Sequence, residues 1–315
     1  MTNLESVIAV LNDEMKLNNK QTVHLLLDVL REVGPDTSAR SVYSELNKIE
    51  QNENTPQSKL AGKALTHLGE SEIEQYDKYL DHLKNEGIEF VHLFQDGYPD
   101  ELWDLDDQPL GLYIDGDFYR QSANIAVVGT RDASDERVEK CSELAEQLAD
   151  QKYTIVSGLA LGIDTAAHRG ALNGNGDTIA VLPGHIQQIL PKSNNDLAEE
   201  IRNSGALISE QSYFESMHKG RYLERNRITA GISDAIVVAA SGDTGGTIRQ
   251  AEIAQEQNLP RFYFDPGWSD GFSPNKLRNM GLIPFETAEE LIELIQNRHE
   301  HFDMSRTSRM TLSEF

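Results

Sequence analysis

Residues 125–131 read IAVVGTR, a short and continuously apolar run that ends in Gly129, Thr130 and Arg131. Such a run is typical of a strand that is buried on both faces of a sheet, and the glycine marks the turn that follows it. From about Ser134 the apolar residues instead fall at helical spacing, with Val138, Leu144 and Leu148 on one side. The stretch therefore predicts a buried strand that leads through a glycine turn into a helix.

Further apolar runs of this kind follow toward the C-terminus. They lie at residues 153–156, 178–182, 206–208, 235–239 and 261–264. Segments with helical spacing separate most of them, for example residues 196–204, 247–257 and 288–297. Apolar strands that alternate with amphipathic helices indicate a parallel sheet covered on both faces. The sequence thus predicts an α/β fold, a doubly wound and mainly parallel sheet, over residues 123–298.

The N-terminal part has a helical pattern instead. Apolar residues recur at helical spacing through residues 3–31, and a further helix is predicted over residues 71–85, while the polar stretch 48–57 predicts a loop. Residues 95–122 are rich in Asp, Gly and Pro. We therefore expect a small helical N-terminal domain at 1–94, a connector at 95–122, the α/β domain at 123–298 and a C-terminal tail at 299–315.

Charge and composition limit the functional classes. The chain of 315 residues has a formal net charge of −24, which argues against a protein that coats nucleic acid through its overall charge. The balance reverses locally in residues 219–227, KGRYLERNR, where four bases meet one acid. The single cysteine, Cys141, excludes an intramolecular disulfide and a cysteine-based zinc site. No apolar run approaches a membrane span and no signal peptide is evident, so we expect a cytoplasmic protein without a membrane partner.

Three predicted strands end in glycine-containing turns that open helices. The turns lie at residues 129–131, 157–164 and 241–247, which read GTR, SGLALGID and SGDTGGT. Glycine lets a backbone approach an anion closely, and the free N–H groups at a helix start point at it. None of the turns is a P-loop and no dinucleotide fingerprint is present, so no nucleotide cofactor is predicted. The turns either form a phosphate-recognising cleft or serve only as tight connections.

Several cations fall near these turns. Arg131 could bind a phosphate through two hydrogen bonds, or it could form a surface ion pair with Asp132 or Glu136. Arg225 and Arg227 could border the same cleft or form ion pairs within the protein. Asp164 and His168 share a helix face at spacing i, i+4, which suits either a general base or a structural hydrogen bond. No catalytic triad and no metal-binding spacing is evident, so no catalytic residue and no metal site are predicted.

The motifs in their order resemble the DprA/Smf family of DNA-processing proteins. The matching segments are GTR (129–131), SGLALGIDTAAHRGAL (157–172), TIAVLPG (178–184), LPKSN (190–194), ISE (208–210), ERNRITAG (224–231) and DPG (265–267). The resemblance implies an extended Rossmann-like domain that binds single-stranded DNA. It also implies a homodimer that protects incoming DNA and hands it to a RecA-type recombinase during natural transformation or recombination.

The same resemblance assigns residues to the DNA site. Arg131 matches the arginine of the family's GSR motif, Lys192 the lysine of its YPK motif, and 225–227 its RNR motif. Two departures stand out: Leu190 replaces the YPK tyrosine, and residues 243–247 replace the family's SGSLIT-like segment. The predicted DNA- or phosphate-binding residues are Gly129, Thr130, Arg131, Ser157, Gly158, Lys192, Arg225, Asn226, Arg227, Thr244, Gly245, Gly246 and Thr247.

An alternative function follows from the second departure. Residues 243–247, DTGGT, resemble the GGxGT of LOG-type nucleotide phosphoribohydrolases, which have a related fold, and Glu252 follows about one turn later. This pattern predicts a nucleotide-binding or nucleotide-hydrolysing enzyme in place of a non-enzymatic DNA-binding protein. Free base released from nucleoside monophosphates would favour the enzyme, and tight DNA binding without release would favour the binding protein.

Overall fold

A computed structural model describes residues 4–15, 19–34, 37–52, 55–118, 123–241, 245–268 and 274–302. The chain forms two compact units. Of the described residues, the first unit contains those up to Asp115 together with Glu210–Glu215, and the second contains those in Gly116–Ser209 and from Ser216 to Phe302. The boundaries predicted at residues 94, 122 and 298 stay predictions. Within the described residues, no helix combines the length and the apolar composition needed to cross a bilayer.

The first unit is mainly helical. Its elements are α1 (Leu4–Glu14), α2 (Asn19–Val33), α3 (Ala39–Gln51), α4 (Pro56–His67), α5 (Glu70–Asn85), β1 (Ile88–His92) and β2 (Gly111–Gly116). The two strands pair in antiparallel fashion, with Ile88 opposite Asp115. The loop predicted at residues 48–57 was too long, because α3 continues to Gln51 and a capping box of Thr55 and Ser58 starts α4.

A buried asparagine ties distant parts of this unit together. The side-chain amide of Asn12 donates to the carbonyl of Glu210 at 2.9 Å. Its oxygen accepts from the backbone amides of Leu110 at 3.0 Å and Gly111 at 3.2 Å. Nearby, the Tyr76 ring packs 4.7 Å from that of Phe214, so α5 also contacts the segment around Glu210. One side chain on α1 thus bonds to three backbone groups that lie far from it in the sequence.

The second unit alternates strands and helices. Its strands are β3 (Asn124–Gly129), β4 (Thr154–Ser157), β5 (Thr178–Leu182), β6 (Gly205–Ser209), β7 (Ala235–Ala240), β8 (Arg261–Phe264) and β9 (Ile283–Phe285). Its helices are α6 (Asp135–Asp150), α7 (Ile163–Asn173), α8 (Asn195–Ser204), α9 (Gly220–Gly231), α10 (Gly246–Glu256), α11 (Asn275–Asn279) and α12 (Ala288–Phe302). The six strands predicted from residue 125 to residue 264 are all present.

The strands of this unit pair in the order β6-β5-β4-β3-β7-β8-β9, and every neighbouring pair is parallel. From β3 the chain builds the sheet in one direction through β6 and then returns to add β7 to β9 on the other side. The order therefore reverses between β3 and β7, as in a doubly wound sheet. The predicted fold class, an α/β fold with a mainly parallel sheet and a helical N-terminal region, is confirmed.

Both faces of the sheet are covered, which explains the continuous apolar runs. Ile125 and Val127 of β3 pack into one buried cluster with residues of α6, α7 and α12. Ala126 and Val128 point to the opposite face and pack with residues of α10 and α11. Cys141 of α6 belongs to the first cluster and is fully buried there. Because successive side chains alternate between two apolar layers, none of the positions 125–128 favours a polar residue.

The Asn12→Ala variant should lower the free energy of unfolding by about 2 kcal/mol or more, because it removes three buried hydrogen bonds between this side chain and the backbone. Urea unfolding of the full chain measures this loss. The matched control is Asn47→Ala, whose side chain reaches only the nearby carbonyl of Tyr43. This control should change stability by less than about 0.5 kcal/mol. Equal effects of the two substitutions would contradict the role given to Asn12.

Candidate functional site

A cleft opens at the edge of the sheet where β3 and β7 end. Its volume is about 410 Å³. The turn after β3, the start of α10 and one side of α9 form its walls. In doubly wound sheets, ligands bind at the carboxyl ends of the strands, at the point where the strand order reverses. The cleft lies at that point of this sheet.

The structure brings most of the predicted site residues together. The predicted residues that line the cleft are Gly129, Thr130, Arg131, Arg225, Asn226, Gly245, Gly246 and Thr247. Ser157, Gly158, Lys192 and Arg227 do not line it, and Thr244 lies outside the described residues. Turns that are up to 118 positions apart in sequence therefore meet at one edge of the sheet, as parallel strands require.

Arg131 is the exposed cation of the cleft. Its guanidinium carbon lies 4.8 Å from the centre of the Tyr222 ring, a cation–π contact with α9. The hydroxyl of Thr130 accepts from the backbone amide of Asp132 at 3.3 Å and so holds the turn that presents Arg131. The contact with Tyr222 leaves the N–H groups of the guanidinium edge able to meet an anion.

Arg225 is buried beneath the cleft. Its Nη1 donates to the carbonyl of Val181 at 2.9 Å, and its residue is only 8% exposed. Burial lowers the pKa of Arg225, while the nearby carboxylate of Asp164 acts in the opposite direction. An arginine in a protein stays protonated, so this side chain places a fixed positive charge under the cleft.

Glycine makes the burial of Arg225 possible. A Cβ atom at Gly158 would overlap the guanidinium group of Arg225. Gly129 is also in close contact with protein, because a Cβ atom there would lie 2.6 Å from the Ile163 side chain and 2.7 Å from the carbonyl of Ala240. These two glycines serve packing between protein groups. Gly246 differs, since none of the described residues has an atom within 4 Å of the position of its Cβ atom.

Asp164 forms a buried pair with this charge. Burial raises the pKa of the Asp164 carboxyl, and Arg225 opposes that shift together with the backbone amides of Ala160 and Gly158. His168, one turn later on α7, uses Nδ1 for a contact of 2.7 Å with the hydroxyl of Thr178. That hydroxyl donates to the carbonyl of Ile155, so His168 donates and its role here is a structural hydrogen bond. The carboxylate does not orient this histidine.

The remaining predicted residues lie outside the cleft. Lys192 is exposed on a short 3-10 turn, which the Asn194 side chain fixes through the Leu159 carbonyl and the Thr165 hydroxyl, both at 2.9 Å. The Ser157 hydroxyl is buried and donates to the carbonyl of Val127 at 2.6 Å. Arg227 is buried on α9.

The predicted site residues left out several that line the cleft, among them Tyr222, Leu223 and Gln250. Tyr222 and Leu223 lie inside the basic stretch KGRYLERNR, where an aromatic residue among bases could have pointed to them. The sequence around Gln250 contains no feature that points to the cleft, because a glutamine in a polar helical stretch is usually a surface residue.

Comparison with known protein families shows which family this chain belongs to. A family model described as "DNA recombination-mediator protein A" matches residues 89–295, more than half of the chain. The chain belongs to this family. The matched region includes every motif of the cleft.

Individual relatives agree with this membership of the DNA recombination-mediator protein A family. DNA processing protein DprA of Bacillus subtilis is 29% identical over 243 residues, which cover 74% of this chain and 81% of that protein. DprA of Streptococcus pneumoniae is 33% identical over 205 residues, or 64% and 72% of the two chains. Protein Smf of Escherichia coli is 35% identical over 207 residues, and the chain spans about half of its length, 54%.

Two solved structures extend the comparison. The X-ray structure of DprA from Streptococcus pneumoniae matches 93% of this chain and 98% of its own, with a TM-score of 0.73 at 24% identity, which shows a shared fold. DNA processing protein A from Helicobacter pylori, whose study concerns its single-stranded DNA binding mode, matches 66% of this chain and 96% of its own. Its TM-score is 0.58 at 27% identity.

Protonation of His168 should destabilise the fold. Burial, with a smaller contribution from Arg225, lowers the pKa of His168 from 6.5 to about 3. Between these values the unfolded chain binds the extra proton and the folded chain does not, so the free energy of unfolding falls as the pH drops from 6.5 toward 3. The His168→Asn variant keeps a donor near Thr178 and should show a shallower fall between pH 6.5 and about 4 in urea unfolding.

The control for this experiment is His24→Asn, at an exposed histidine on α2. It should keep the slope of the wild-type protein. Some slope should remain in His168→Asn, because burial also lowers the pKa of His92 to about 4. A slope in His168→Asn that equals the wild-type slope would contradict the assignment.

Proposed function

We propose that this protein binds single-stranded DNA in the cleft between β3 and β7 and delivers it to a RecA-type recombinase. The observation that carries the proposal is the cleft itself, where Arg131 and the start of α10 face one space above the buried charge of Arg225. N–H groups at a helix start and a guanidinium are groups that recognise phosphate. We propose a non-enzymatic role. We also propose that the protein acts in the cytoplasm, where single-stranded DNA and a recombinase would meet it.

Membership of the recombination-mediator family supports this proposal. The Helicobacter pylori relative, which is similar in fold and 27% identical, has a described single-stranded DNA binding mode. A backbone-reading site binds without sequence preference, because phosphates carry no information about the bases. We therefore propose sequence-independent binding, as expected for a protein that handles incoming DNA of any sequence.

The strong negative charge of the chain shapes how such binding works. With a net charge of −24, long-range repulsion opposes a polynucleotide over most of the surface. Binding then depends on local contacts, from Arg131 in the cleft and from Lys192 on the neighbouring exposed turn. Arg225 is 8% exposed and one of its N–H groups already donates to the Val181 carbonyl, so we propose that it acts mainly through the field of its charge.

The nucleotide-hydrolase alternative has weaker support. Its carboxylate would be Glu252, but that side chain accepts from Arg249 at 3.2 Å on an exposed face of α10 and does not line the cleft. Asp164 does line the cleft, where Arg225 and backbone amides occupy it. Incubation with nucleoside monophosphates and detection of free base tests this alternative directly.

Arg131→Ala and Lys192→Ala should each weaken binding to oligo-dT. Each lost phosphate contact should also lower the slope of log affinity against log salt concentration by about 0.7. Fluorescence anisotropy across a salt series measures both quantities. The matched controls are Arg249→Ala and Lys152→Ala, which replace exposed cations outside the cleft. Unchanged affinity in both test variants would overturn the site assignment.

Delivery to a recombinase is a separate expectation. The wild-type protein, proposed to act as a homodimer, should speed the assembly of a RecA-type filament on single-stranded DNA that is covered by a single-strand binding protein. Arg131→Ala should lose this acceleration in proportion to its loss of DNA binding. Sedimentation of the free protein checks the dimer, and tight DNA binding without faster filament assembly would limit the role to DNA protection.

A further inference from the structure

Strand β1 of the first unit has one edge without a neighbouring strand among the described residues. It stands first in the strand order and pairs only with β2. Just beyond β1, the amide of Leu93 donates to the carbonyl of Leu110 at 3.0 Å, in the register of this pair. Because backbone groups alternate between the two edges of an antiparallel strand, those of Glu89 face β2 as well, and those of Ile88 and Phe90 face away from it. No described residue bonds to these outward amides and carbonyls.

A groove of about 430 Å³ runs along this edge, and we call it the β1 groove. Residues 88–91 all line it, although successive side chains of a strand point to opposite faces of the sheet. A space that contacts all four residues therefore follows the edge of the strand. Helix α5 lines the groove with residues from Asp77 to Lys84, and the buried side chains of Leu80, Ile88 and Phe90 give the groove an apolar part.

The β1 groove is strongly acidic. Five carboxylates line it, against the single ammonium group of Lys84. The five belong to Glu5, Asp77, Asp81, Glu89 and Asp96. Asp77 accepts from the hydroxyl of Ser6 at 2.6 Å, and Glu5 accepts from the side-chain amide of Gln95 at 2.9 Å. The other three are exposed and form no ion pair with a described residue, so their charges remain available to a cationic ligand.

These features limit what could occupy the groove. The carboxylates would repel a polynucleotide. They do not suit a metal ion either, because the described residues include no group of three or more acidic, histidine or cysteine side chains that could hold one. A second copy that added its own β1 edge would bring two acidic grooves together, and like charges on neighbouring strands are unfavourable. An extended chain with lysine or arginine side chains instead matches both the backbone groups and the charge.

We propose that the β1 groove binds an extended basic segment of a partner protein, which adds to the edge of β1 as a further strand. The backbone groups of Ile88 and Phe90 exchange hydrogen bonds with the segment, as in other cases of strand addition. Basic side chains of the segment meet Asp81, Glu89 and Asp96. Strand β1 has five residues, so it can pair with about five residues of the partner. This inference goes beyond DNA binding and does not depend on it.

Three labelled hexapeptides serve as probes for the full-length chain in fluorescence anisotropy. The first alternates lysine and valine. The second alternates glutamate and valine, which reverses the charge. The third alternates lysine and proline, which keeps the charge but removes the amide hydrogen from every second residue. We expect the lysine–valine peptide to bind, more weakly at high salt because exposed charges are screened, and the other two to bind at least about tenfold more weakly.

The charge of the groove is tested with the double variant Asp81→Lys/Glu89→Lys. Both side chains are exposed, so the fold should be retained. The variant should bind the lysine–valine peptide about tenfold more weakly, because two attractive contacts become repulsive. The matched control is Glu143→Lys/Glu200→Lys, which makes the same change of net charge at exposed positions of α6 and α8. The control should bind the peptide within about twofold of the wild type, apart from the groove being far-field only.

Hydrogen exchange locates the bound peptide on the strand. The amides of Glu89 and Val91 face β2 and should exchange slowly with or without the peptide. The amides of Ile88 and Phe90 face outward and should exchange slowly only when the lysine–valine peptide is bound. This alternating pattern is specific to strand addition, since a peptide held by charge alone would leave the outward amides unprotected.

The possible results separate the proposal from its competitors. Equal binding of the lysine–proline peptide, or equal binding by the double variant and its control, would show attraction by net charge alone and overturn the proposal. Protection of the outward amides without peptide, together with a dimer in sedimentation that the double variant alters, would assign the edge to a second copy and also overturn it. Oligo-dT binding is measured in parallel, and its absence would overturn the proposed function while leaving the β1 groove unaffected.

Discussion

The order of the parallel strands is the constraint on which the cleft depends. After β3 the chain crosses to β4 on one side, and after β7 it crosses to β8 on the other, so the two connections leave the sheet in opposite directions. Helices α6 and α7 pack on one face and α10 on the other. Among the described residues a cleft stays open at the ends of these two neighbouring strands, and the groups that end there face one another.

A buried guanidinium gives this space its electrostatic character. A charge without water is costly unless it is paired, and Arg225 has the Val181 carbonyl and the Asp164 carboxylate beside it. The missing side chain of Gly158 provides the room. The glycines of the first two turns therefore serve mainly to pack protein against protein, whereas a Cβ atom at Gly245 or Gly246 would contact none of the described residues. A glycine-rich turn can serve as a tight connection or as part of a phosphate-recognising cleft. The first explanation fits the first two turns, and the second fits the turn before α10.

The sequence predicted the sheet well where strands are apolar and bounded by turn residues, as in β5 and β8, whose residue ranges match the predicted ones. It missed β2, which lies in the Asp- and Gly-rich connector, and β9, which has three residues and a proline. Residues at strand ends could be expected to meet because parallel strands align their carboxyl ends. The burial of Arg225 and of Gln250 could not be expected, because both residue types usually face solvent and tertiary packing alone decides otherwise.

The setting of Cys141 has a practical consequence for work on this molecule. Its thiol lies fully inside the cluster between α6 and α7, and burial raises its pKa well above the ordinary value. Thiol reagents attack the thiolate, so this native sulfur should react very slowly with maleimides or spin labels while the chain is folded. A cysteine introduced at the mouth of the cleft would then be the one fast-reacting thiol in the whole sequence. Fluorescent or paramagnetic reporters can thus be attached there without first replacing a native residue.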